Sequence, residues 1–314
     1  MNSWQKLVFA LGFSGLSLGH AAGLPTRKWY ERSRDLSTAG RVEEVSRGLL
    51  SVPYGGDPLG EGPGARYDQD PLLRDDAFDC TTYVETVLAG ALASSAEEVE
   101  ALLTRIRYHA GRVDYRLRNH FTSLDWIPHV QSLGVLSEET ASLAGRAGVE
   151  VRYSRVRIDK AGWYSAKKAS QLRLNESLPG SERERRLEEW RAEGLGFAVE
   201  EVVLPYLRFE DLLEGGKLRE SVARALPEVS VVQVVRPDWD LSATIGTALD
   251  VSHQVLVLRL EGGALRVRHA SSDARRVIEE DFSAFISAYR ARAARGAGSA
   301  QGLHFLRLGS SDFR

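Results

Sequence analysis

Sulfur chemistry is nearly absent from this chain: Cys80 is the only cysteine in 314 residues. A single thiol excludes an internal disulfide framework and a zinc site built from several thiolates. A dominant charge is missing too. Against 41 Lys and Arg stand 43 Asp and Glu, a formal charge of −2 that leaves no electrostatic footprint for nucleic acid or an anionic membrane. Past the first residues, no apolar run approaches the ~20 residues of a spanning helix. No internal repeat is present. What remains is ordinary for a folded globular protein, with 43% hydrophobic and 27% charged residues in a length that accommodates one large domain or two modest ones.

The N-terminus, MNSWQKLVFALGFSGLSLGHAAG, carries one basic residue, Lys6, then an apolar stretch from Leu7 to Leu18, then small residues at Gly19 and Ala21. That is the pattern of an export signal cleaved after Ala21. The expectation is a signal peptide over 1–21, one domain over 22–314, and a secreted, periplasmic protein. A lone thiol in an oxidising compartment is either buried and inert or kept for its reactivity.

The domain opens with a polar helical lead from Pro25 to Leu50, followed by the Gly/Pro-rich loop SVPYGGDPLGEGPGARYDQDP. Next comes DAFDCTTYVETVLAGALA, in which Val84, Val87, Leu88, Ala91 and Leu92 recur at helical spacing. Asp79 is placed to cap that helix, with Cys80 in its first turn. A second helix opens at Ser95, with Glu98 completing a capping box and Val99, Leu102, Leu103 and Ile106 on its buried side. The charged stretch from about 170 to 194 reads as a solvated helix within a helical insertion over about 165–225. The C-terminal third reads as strands at Val229–Val235, Gln254–Leu260, Leu265–Ala270 and Leu303–Leu308, the middle two joined through Glu261-Gly262-Gly263. Helices first and strands afterwards predict an α+β fold with a helix packed on an antiparallel sheet.

A cysteine in a first helical turn faces the positive end of the helix dipole and unpaired backbone N–H groups, which favour the thiolate and can hold an oxyanion. Such a nucleophile needs an imidazole to take up and return a proton. With a three-residue loop, residue 257 pairs with 267 and 255 with 269. His253 and His269 then become diagonal neighbours on one face, above Val255, Val257, Leu265 and Val267. The competing reading is a buried, inert thiol and two unrelated histidines.

The blocks FDCTTYVETVLA, RNHFTSLDW, DVSHQVLVL and RHASS, in that order, resemble the N-acetylmuramoyl-L-alanine amidase-like branch, once catalogued as a domain of unknown function, of the NlpC/p60 cysteine peptidases. The resemblance spans about residues 54–308. It implies a papain-like NlpC-type core, without metal or cofactor, that cleaves amide bonds in peptidoglycan or its muropeptide fragments. It assigns Cys80 as nucleophile, His253 as general base and His269 as the group orienting that base. Arg118, His120, Asp125 and Trp126 would line the substrate cleft, with Arg118 pairing a stem-peptide carboxylate and Trp126 offering a flat face to a sugar; a structural ion pair at Arg118 and a core tryptophan are the equal alternative. His120, Asp125 and His129 suggest a metal site only weakly, because Pro128 would interrupt a regular helix there. The bond implied is the one between N-acetylmuramic acid and L-alanine. The alternatives are an endopeptidase cutting between γ-D-glutamate and a diamino acid, a non-catalytic wall-binding module, and a transferase. The chain departs from the family pattern in lacking the Gly-Asp pair before the base and the glycine after it, where Gln254-Val255 stands.

Overall fold

The computed structural model describes residues 25–175, 177–293 and 299–309. The expected signal peptide, 1–21, lies outside the described residues. The polar lead is two helices, α1 (Pro25–Ser33) and α2 (Thr38–Gly48), the second capped by Ser37. The cysteine helix α3 spans Cys80–Leu92. Asp79 caps it as the sequence predicts: its Oδ1 accepts the Thr82 N–H at 2.8 Å, and its own N–H donates to Thr82 Oγ1 at 3.0 Å. The helix is more enclosed than one apolar stripe requires, since every residue from Thr82 to Ala91 is buried. Helix α4 (Glu98–Arg107) buries Val99, Leu102, Leu103 and Ile106, as their spacing predicts. It begins at Glu98, whose carboxylate reaches back to the Ser94 N–H at 2.6 Å. Pro128 sits in the first turn of α5 (Ile127–Ser132), where its missing N–H is no loss, rather than interrupting a helix.

Beyond α5 the chain alternates. Strand β1 (Leu136–Glu138), α6 (Thr140–Ala147), β2 (Arg152–Asp159), α7 (Lys160–Ser165) and α8 (Gly180–Ala192) lead into β3 (Val199–Arg208). A short turn of helix, α9 (Phe209–Leu212), precedes the two-residue strands β4 (Leu213–Glu214) and β5 (Lys217–Leu218) and the helix α10 (Glu220–Ala225). Then come β6 (Val229–Asp240), α11 (Ser242–Ile245), β7 (Ala248–Arg259), β8 (Leu265–Ser271), β9 (Arg276–Asp281), α12 (Phe282–Ala293) and β10 (Gly302–Leu308). The stretch 165–225 is therefore not purely helical: it contributes β3 to the main sheet. Both β2 and β3 escaped sequence reading because Arg and Glu interrupt their apolar pattern, and Tyr153, Val199 and Val203 point outward. In β2 only Ser154, Val156 and Ile158 face inward.

The main sheet is antiparallel, in the order β2-β3-β10-β6-β7-β8-β9, with β1 also pairing with β10. This is the α+β arrangement expected. On one face α3 packs over Val231, Leu256, Leu258 and Leu306. On the other, Phe282, Phe285 and Ile286 of α12 cover Val232, Val255, Val257 and Val267. The predicted β7–β8 register holds: Val257 pairs with Val267, and the chain reverses through Glu261–Gly263.

Candidate active site

The β6–β7 pairing shifts register after Val234, which is opposite His253, and the next residue of β7, Gln254, meets Cys80 at the start of α3. Val251 packs on the α3 side of the sheet, whereas His253, Val255 and Val257 face α12. The residue in place of the family glycine, Val255, is wholly buried in that layer.

His253 and His269 meet as the register requires. His253 Nε2 lies 2.7 Å from His269 Nδ1, and His269 Nε2 lies 2.9 Å from Glu280 Oε1. The proton positions follow from the ends of this chain. A carboxylate only accepts, so His269 carries its proton on Nε2 and accepts through Nδ1. His253 then carries its proton on Nε2, which leaves its Nδ1 as a lone pair with no hydrogen bond among the described residues. Phe285 stands edge-on to the His269 ring at 5.7 Å, and Tyr289 packs on Phe285 at 4.8 Å, so α12 walls in the His269 imidazole. Burial, then the neighbouring His269, holds His253 well below the ordinary imidazole range; it is neutral at neutral pH.

The Cys80 thiol is half-buried and lies against the backbone N–H of Gln254, the residue after His253. No hydrogen bond joins Cys80 to His253 among the described residues. The helix-start argument for a stable thiolate is outweighed here. Burial, and after it the Asp79 carboxylate, pushes the thiol up to about 12, against the stabilising pull of the Gln254 amide and of Thr81. Tyr54 and Tyr289 are within electrostatic reach of the sulfur. The Cys80 backbone N–H itself has no partner among the described residues.

The expected cleft-lining block behaves differently. Arg118 is buried, and its guanidinium is saturated by this chain's own carboxylates: Nε to Glu61 Oε1 at 2.7 Å, Nη1 to Asp57 Oδ1 at 3.3 Å and Nη2 to Asp68 Oδ2 at 2.8 Å. It anchors the glycine-rich loop and presents no free fork to a ligand. That packing requires a glycine at position 60, where a Cβ would stand 2.3 Å from Asp68 Oδ1. Trp126 is fully buried, with Nε1 donating to Glu85 Oε1 at 3.0 Å, and is a core residue rather than a cleft wall. Asp125 accepts from Lys160 and from the Phe121 N–H. His120 is half-buried, its Nε2 at 2.8 Å from the Tyr115 carbonyl, between the rings of Tyr115 and Trp163. His129 binds the Arg105 carbonyl, so it does not converge with His120 and Asp125, and no cluster of metal-ligating side chains occurs among the described residues. A cavity of about 360 Å³ lies away from the thiol, between α5 and β3.

Sequence reasoning missed Glu280, although the signal exists. Ile278 pairs with His269 across β8–β9, which puts Glu280 two residues on, along the same face. It also missed Asp57, which links the two regions. Its N–H donates to Asp79 Oδ2 at 3.2 Å, and its carboxylate meets Arg118. Its backbone is left-handed, at φ 48°, a conformation uncommon outside glycine and asparagine.

A model of the N-acetylmuramoyl-L-alanine amidase-like family matches residues 44–291, a span containing Cys80, His253, His269 and Glu280. A Legionella pneumophila protein of the family DUF1460 has a crystal structure similar at a TM-score of 0.84, with 32% identity over 92% of this chain and 95% of that one. An N-acetylmuramoyl-L-alanine amidase from Bacteroides uniformis shares the fold at a TM-score of 0.56 and 21% identity, over 87% of this chain and 99% of that one. No protein of curated function matches. By the span of the family match, residues 44–291, the chain belongs to the N-acetylmuramoyl-L-alanine amidase-like family.

Proposed function

We propose that this protein is an exported cysteine amidase of papain-like, NlpC-type arrangement that hydrolyses the N-acetylmuramoyl-L-alanine bond of peptidoglycan or its fragments. The observation that carries this reading is the hydrogen-bonded series His253–His269–Glu280, which ends at a lone pair on His253 Nδ1, one residue before Gln254, whose backbone N–H meets the Cys80 sulfur.

The chemistry follows from the protonation states. Cys80 rests as a thiol and His253 as a neutral imidazole, so no ion pair is preformed. On attack, Sγ bonds to the amide carbonyl carbon while its proton passes to His253 Nδ1. The resulting imidazolium is stabilised through His269 and Glu280, which also hold the ring in register. The carbonyl oxygen becomes an oxyanion, which the Cys80 backbone N–H receives; the Tyr54 hydroxyl, within electrostatic reach of the sulfur, is the second candidate donor. Collapse breaks the C–N bond, and the amine leaves with the proton from His253. Water then loses a proton to His253 and attacks the thioester, releasing the acid and restoring the thiol.

Cys80→Ala tests this. With N-acetylmuramoyl-L-alanyl-D-glutamate as substrate, the native protein is expected to release L-alanyl-D-glutamate and the variant none, while still binding the substrate. Release by the variant would falsify the mechanism. Mass analysis of products from a longer stem peptide separates the amidase from the endopeptidase that cuts after γ-D-glutamate.

A further inference from the structure

Lys167 is 6% exposed, yet its ammonium has no hydrogen bond or ion pair among the described residues. Its backbone is pinned from both sides: the N–H donates to the Tyr164 carbonyl at 3.1 Å, and the carbonyl accepts Arg191 Nε and Nη2 at 3.0 and 2.7 Å. The ammonium lies 3.1 Å from the centre of the Trp163 ring, with Trp190 at 4.9 Å and Tyr115 at 5.6 Å. Aromatic faces attract a cation but supply no counter-charge.

The acidic neighbours are committed elsewhere. Asp57, Glu61 and Asp68 bind Arg118, and Asp70 binds Arg173 at 3.1 Å. Asp57 is the charged group that acts most strongly on Lys167, but it lies beyond ion-pair distance. Its side chain is 56% exposed, so this side of the cluster opens to solvent. Through its N–H bond to Asp79, Asp57 also adjoins the cap of the Cys80 helix. An almost wholly buried, unpaired ammonium thus stands beside Asp57, whose backbone meets the cap of the Cys80 helix.

We propose that Lys167 is a specificity residue that receives one free carboxylate of the bound peptide, a reading that rests on the proposed peptide-amidase function. The ligand group is a monoanion. A dianion such as a phosphate would be repelled more strongly by the exposed Asp57 carboxylate nearby. Burial brings the free ammonium down to about 7, so an arriving carboxylate fixes a proton on it.

The test is calorimetric binding to the full-length Cys80→Ala protein, which reads affinity without turnover. The probes are N-acetylmuramoyl-L-alanyl-D-glutamate and its two monoamides, which distinguish an α- from a γ-carboxylate. One monoamide is expected to bind on the order of tenfold or more weaker than the diacid. Lys167→Met should abolish that difference, and Lys167→Arg should keep it. Binding the diacid between about pH 7 and pH 8, in buffers of different ionisation enthalpy, should take up a fraction of a proton that Lys167→Met removes. Equal weakening of all three ligands by Lys167→Met, equal affinity of the three for the parent protein, or binding without proton uptake would each overturn the assignment. Hydrolysis by the native enzyme is scored separately: carboxylate discrimination without Cys80-dependent turnover leaves the Lys167 site standing and sinks the catalytic reading.

Discussion

His253 Nε2 and His269 Nδ1 lie 2.7 Å apart, two imidazoles sharing one proton on neighbouring strands. Which ring holds that proton is decided one residue further along, by Glu280 at 2.9 Å from His269 Nε2. Glu280→Gln keeps the shape but can offer His269 either a donor or an acceptor, so the tautomer is no longer imposed. kcat is expected to fall about tenfold with KM little changed, and His269→Ala to cost about a hundredfold or more. An unchanged kcat in Glu280→Gln, measured by steady-state hydrolysis, would remove Glu280 from the positioning series.

The thiol pushed up to about 12 gives a distinct alkylation profile. Only the thiolate reacts, so the iodoacetamide rate should rise about tenfold per pH unit from about pH 7 to about pH 10, and stay below that of free cysteine. A plateau at or below neutral pH, read by mass spectrometry of the Cys80 peptide, would instead reveal a preformed thiolate–imidazolium pair.

Trp126 lies in the core, and its indole N–H satisfies Glu85. Trp126→Phe keeps most of the apolar contact and leaves Glu85 Oε1 without its donor, while Arg107 still holds Oε2. Stability should drop by about 1–3 kcal/mol in urea unfolding, with KM unaffected. A raised KM at unchanged stability would return Trp126 to the cleft.

Burial raises the Glu85 carboxyl to about 7, against the pull of Arg107, whose Nη1 is 3.3 Å away. The ordinary value is 4.5, so between these limits the folded protein holds a proton that the unfolded chain has lost. This group's contribution is therefore fully present below 4.5 and declines as pH rises through about 7. Arg107→Met leaves the buried carboxylate uncompensated. It should destabilise by about 3–5 kcal/mol at about pH 8, and by clearly less at about pH 5, where Glu85 stays protonated. Equal losses at both pH values in denaturant unfolding would rule out this coupling.

Local pattern was enough to place the cysteine helix, its Asp79 cap, the four buried positions of α4, and the hairpin that sets His253 beside His269. Each depends on spacing within one element or across one short turn, where backbone geometry leaves little freedom. The roles of Arg118 and Trp126 were not legible. An Arg or Trp serves a cleft or a core equally well in sequence, and the outcome depends on partners such as Asp68, some 50 positions away. The protonation of Cys80 belongs with these, because a helix start favours a thiolate, whereas enclosure and the Asp79 charge favour a thiol. So do the inclusion of Glu280 in the series and the solitary burial of Lys167. Sequence determined which groups are present and which elements carry them. Only the packing of those elements decided which charges are dehydrated, which are neutralised and which are left to meet a ligand, because dehydration and pairing are set by neighbours in space.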